Sequence, residues 1–191
     1  MSGATGTPCY GFLNDLVNNL IGLTSQVPRG ELLIMAEEWL TVIESAINDL
    51  MDAFDVTEPP VPVEIMLQRP RAGMWKEVNL AELSTAFINV KQRYSPRMSV
   101  ARLLARCAVR SEWGEVRKLP EIASTDEGLR ALARAILMPR SMLDRLVAPS
   151  RTPIAISLRF EVPEDDAQQR LKDLGYVHSD ADAAPSSPSA S

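Results

Sequence analysis

The sequence has one histidine, two cysteines and only 5% aromatic residues. Each shortage closes a class of function. A two-histidine metal site cannot be built around His178 alone, and a Ser-His or Cys-His catalytic pair would also have to use that residue. Cys9 and Cys107 show no metal or redox spacing. Cys107 falls on an apolar helix face, where a free thiol packs as a small hydrophobe. With so few aromatics, aliphatic side chains must supply most of the core. The methionines Met35, Met51, Met66, Met74, Met98, Met138 and Met142 read as core filling. No apolar run approaches the ~18 residues of a membrane span. No basic segment followed by an apolar stretch opens the chain, so a cytoplasmic location is expected.

What is present is an ordinary globular balance. The 191 residues are 46% apolar and 24% charged, with a net charge of −5. The charge is uneven. Residues 93–151 carry 12 basic and 6 acidic side chains, whereas the segments on either side are net acidic. A basic middle can bind an anion, nucleic acid or an acidic partner, or it can pair with the acidic ends.

Apolar spacing predicts a helix at Phe12, Leu13, Leu16, Leu20 and Leu23, ended by Gly22 and "TSQVPRG". The clearest helix is "GELLIMAEEWLTVIESAINDLMDAF". Leu32, Met35, Ala36, Trp39, Leu40, Ile43, Ala46, Ile47 and Leu50 line one wide face of it. That face suits several neighbours in the chain, or a second copy across the 30–54 helix. Pro59, Pro60 and Pro62 impose an extended path, and a short helix is expected from Val63. "RPRAG" reads as a turn. "MWKEVNL" and "STAFINV" read as two short strands, or as helical segments. Ser95 is the expected cap of the helix "MSVARLLARCAV", with Pro96 in its first turn. After "SEWGEVRKLP", the segment "EIASTDEG" reads as a loop. Ser124, Thr125 or Asp126 caps the next helix, "EGLRALARAIL". "PRSMLDRLV" follows Pro139. Helices are then expected from Thr152-Pro153 and from Val162-Pro163, the last closed by Gly175. Residues 179–191 are small, polar and proline-containing, the composition of a disordered tail.

Several of these pieces resemble the ImmA/IrrE family of zinc metallopeptidases. "ARAILMPRSMLDRLV" is similar to the stretch where a family helix ends in a Leu-Met-Pro turn. "ISLRFEVPEDDAQQRLKDLGYV" is similar to the family's closing segment, matched at Phe160, Val162, Ala167, Arg170, Leu171, Leu174 and Gly175. "EPPVPVEIML" resembles the Pro-rich approach to the domain, and "SPRMSVARLLAR" resembles its metal-binding helix. The resemblance covers roughly residues 58–177. It implies an α+β, mostly helical, zincin-like domain with a small sheet. The expected organisation is a helical extension over 1–57, the family-like domain over 58–178 and the tail over 179–191.

The family's chemistry uses two histidines one helical turn apart, a glutamate between them as general base, and a third ligand from a later helix. By the resemblance, the first histidine falls on Arg102 and the second on Arg106. The general base falls on Leu103 and the third ligand on Gly128. Glu127 is the ligand only if the register slips by one. Arginine stays charged and does not ligate zinc, and leucine cannot take a proton. No catalytic residue, metal or cofactor is therefore expected.

On a helix of ~100° per residue, Arg102, Arg106 and Arg110 form one stripe. Two readings stand. Arg102 and Arg106 replace the metal by pairing with Asp126 or Glu127 across the cleft. Alternatively, Arg102, Arg106, Arg110, Arg130 and Arg134 line an anion- or partner-binding groove. The resemblance implies a protein partner, such as a helix-turn-helix regulator, because active relatives cleave such repressors. The alternative is a DNA- or anion-binding regulator using residues 93–151. The last helix offers Gln168, Gln169, Arg170 and Lys172 to DNA. It opens, however, with Glu164, Asp165 and Asp166, which repel phosphate.

Overall fold

The computed structural model describes residues 29–78 and 93–176, with side chains from residue 38 onward. The expected helix at 9–23, the second strand candidate at 84–90, Cys9, His178 and the tail lie outside the described residues. So do the side chains of Leu32, Met35 and Ala36. Among the described residues the fold is helical and contains no strand. Met74–Val78, the described part of the first strand candidate, is irregular.

The elements run α1 (Arg29–Ala53), α2 (Val63–Gln68), α3 (Ser95–Val109), α4 (Glu112–Val116) and α5 (Leu119–Ile122). They continue with α6 (Asp126–Leu137), α7 (Arg140–Asp144), a 3-10 turn (Ala148–Ser150), α8 (Pro153–Phe160) and α9 (Glu164–Asp173). The short helices α4 and α5 fall in a segment to which the sequence assigned no element, and α5 runs into the start of the expected loop at 121–128. Ser111 accepts a hydrogen bond from the Gly114 N–H and so caps α4, a signal overlooked because the segment is only one turn long. Ser95 is not the cap of α3. Tyr94 holds that position in the left-handed region, and Ser95 is already buried in the first turn.

The central pair is α3 and α6, which contact each other more extensively than any other two helices. Both present small side chains. Ala101, Ala105 and Ala108 are buried on α3, and Ala131, Ala133 and Ala135 on α6. Small side chains let helix axes approach closely, and Leu104, Leu132 and Ile136 add apolar burial. α6 begins where Thr125 accepts from the Gly128 N–H at 3.0 Å. It ends at Leu137, so the Leu-Met-Pro turn falls where the sequence places it.

Ile43, Ile47, Leu50 and Met51 of α1 join the same core cluster as α3 and α6. This part of the extension therefore packs onto the domain, and that part of its apolar face is covered within the chain. Phe160, Ala167 and Leu171 anchor α8 and α9 in the same core. The turn between these two helices places Glu161 at φ 55, a conformation costly for a residue with a Cβ. Arg97 of α3 braces it, meeting the Glu161 carboxylate at 2.6 Å and also donating to the Val61 carbonyl. Among the described residues, no helix is long and apolar enough to cross a membrane.

Candidate functional site

α6 and α9 meet at Arg134, whose side chain is only 4% exposed. Its Nη2 donates to Glu127 Oε1 at 2.7 Å. Its Nη1 lies 4.0 Å from Asp166 Oδ1 and its Nε 3.4 Å from Asp173 Oδ2. The Nε contact is ionic and lacks hydrogen-bond geometry. One guanidinium thus faces three carboxylates. Gln169 donates to the other Asp173 oxygen at 2.9 Å. Burial pushes Asp173 above the ordinary Asp range, against the opposing pull of Arg134 and the Gln169 hydrogen bond. Burial likewise raises Asp166, against Arg134, Arg102 and Arg130.

The carboxylate that feels Arg102 is therefore Asp166 of α9. Asp126 and Glu127 pair along their own helix, Asp126 with Arg130 at 2.9 Å and Glu127 with Arg134. Arg102 is half-buried, and its Nε is buried and donates no hydrogen bond. Leu103 is half-buried against the core. Arg106 and Arg110 are exposed, and no ion pair among the described residues holds them. The five arginines of the expected groove thus separate. Arg134 is turned inward, Arg102 sits at the edge of the junction, Arg130 is paired on the surface, and Arg106 and Arg110 face out.

Gly128 is fixed by its surroundings. A Cβ there would lie 2.4 Å from the Ile122 carbonyl oxygen and 3.2 Å from the Ala123 Cα. The backbone of α5 occupies the space that a side chain would need. Zinc does not fit the aligned positions. Arg102 and Arg106 carry permanent charge, Leu103 holds no exchangeable proton, and Gly128 has no room for a ligand. Among the described residues, no three His, Cys, Asp or Glu side chains are grouped to hold a metal ion.

A second buried arginine lies on the same flank of α9, between Asp166 and Asp173, and its charge also acts on Asp173. Arg170, 2% exposed, donates to Glu44 Oε1 at 2.6 Å and to the Met138 carbonyl at 3.1 Å. The other Glu44 oxygen accepts from the Arg140 N–H at 3.3 Å. Arg170 therefore belongs to the core, which corrects its reading as an outward, DNA-facing side chain. The residues that sequence reasoning missed are Asp166, Asp173 and Glu44. Asp166, Arg170 and Asp173 sit at i, i+4 and i+7 beside the buried Ala167 and Leu171. That spacing on an apolar flank was a legible signal of inward charge.

Cys107 is half-buried, and burial raises its thiol. It lines a cavity of about 450 Å³ together with Trp75, Val78 and Arg110. Comparison of the chain with protein-family models, curated proteins and solved structures finds no match.

Proposed function

We propose that the chain is a non-catalytic, ImmA/IrrE-like regulatory module that binds another protein, for example a transcriptional repressor. The observation that carries this reading is the junction at Arg134. Where the family resemblance puts a metal between two helices, this chain has arginine at both histidine positions. It has a glycine without side-chain space at the third ligand. An ionic cluster of α6 and α9 residues lies beside Arg102. The pairing of α3 with α6, and the end of α6 at Leu-Met-Pro, support the helical part of a zincin-like domain, while no strand of its small sheet lies among the described residues. Elemental analysis of the purified, dialysed protein tests the reading. A folded protein without zinc is expected. Stoichiometric zinc, held by Glu127, Asp126 or Cys107, would overturn it.

A second reading is favoured by one observation: Arg106 and Arg110 are exposed one helical turn apart, outside the ion pairs of the described residues. In it the protein is a nucleic-acid- or anion-binding regulator. Binding through these two charges would fall steeply as salt rises, because released counterions drive it. Salt-independent binding of the partner would reject this reading.

A further inference from the structure

We draw no further inference here: the strongest candidate, the cavity of about 450 Å³ between the end of α3 and the Met74–Val78 segment, offers only the lone thiol of Cys107 and a Trp75 whose unpartnered Nε1 is buried out of its reach, so nothing in the structure shows what would fill it.

Discussion

Arg134 and Arg170 are both buried, yet they sit in opposite electrostatic settings. Arg170 meets one carboxylate and one carbonyl, and the spare Glu44 oxygen takes the Arg140 N–H. Charge is balanced there and the polar groups are largely satisfied. Arg134 meets three carboxylates, and its Nε makes an ionic contact without hydrogen-bond geometry. The carboxylates outnumber the cation, so the cluster leans on Arg102 and Arg130 nearby. One hub is a structural tie between α1 and α9. The other is a crowded junction in which burial raises two aspartates against the pull of Arg134. Burial alone therefore does not say what an arginine does; the number of acids around it does.

The comparison breaks most sharply on removal of each arginine. Arg134→Ala leaves two buried or half-buried aspartates and Glu127 without their shared cation. It should cost about 3–5 kcal/mol or unfold the chain. Arg170→Ala strands Glu44 and removes a charge that only helps Arg134 hold Asp173, so it should cost less, toward the lower end of that range. Urea unfolding of both variants checks the order, and a larger loss at Arg170 would reverse the comparison. Gly128→Ala comes next. Its Cβ meets backbone, which cannot rotate away, so overpacking should cost about 1–3 kcal/mol. An unchanged melting temperature would mean that α5 and α6 are not packed as described.

The smallest expected effect is on pH dependence. Asp166 and Asp173 have folded-state values raised above 3.8, so the folded protein holds their protons more tightly than the unfolded chain. Their contribution to stability is fully present below pH 3.8 and is lost as pH rises through the raised values. Asp173→Asn should flatten that part of the stability profile in a pH series. A profile identical to that of the unaltered chain would remove Asp173 from the account.

Much of the helical frame was legible. Thr125 and Thr152 cap α6 and α8 as their positions suggest, and Gly175, at φ 73, follows α9. Apolar periodicity located the buried faces of α1, α3 and α6. The candidate site was legible only in part. Arg102, Glu127 and Arg134 were singled out, but the α9 aspartates that face the two arginines were not, because pairing across helices depends on contacts far apart in the chain. Glu44 and Arg170 are separated by 126 positions. Arg170 and Arg134 look alike on a helical wheel, and only the packing of α9 shows which carboxylates surround each. The α4–α5 segment was hidden because one-turn helices carry too little periodicity to register.

The central claim is that α6 and α9 are held together through the ionic cluster at Arg134. A double-mutant cycle between Arg134→Met and Asp173→Asn measures it directly by denaturant unfolding. The account predicts a coupling of about 1–3 kcal/mol across the 3.4 Å contact. Effects that simply add, within about 0.5 kcal/mol, would contradict it.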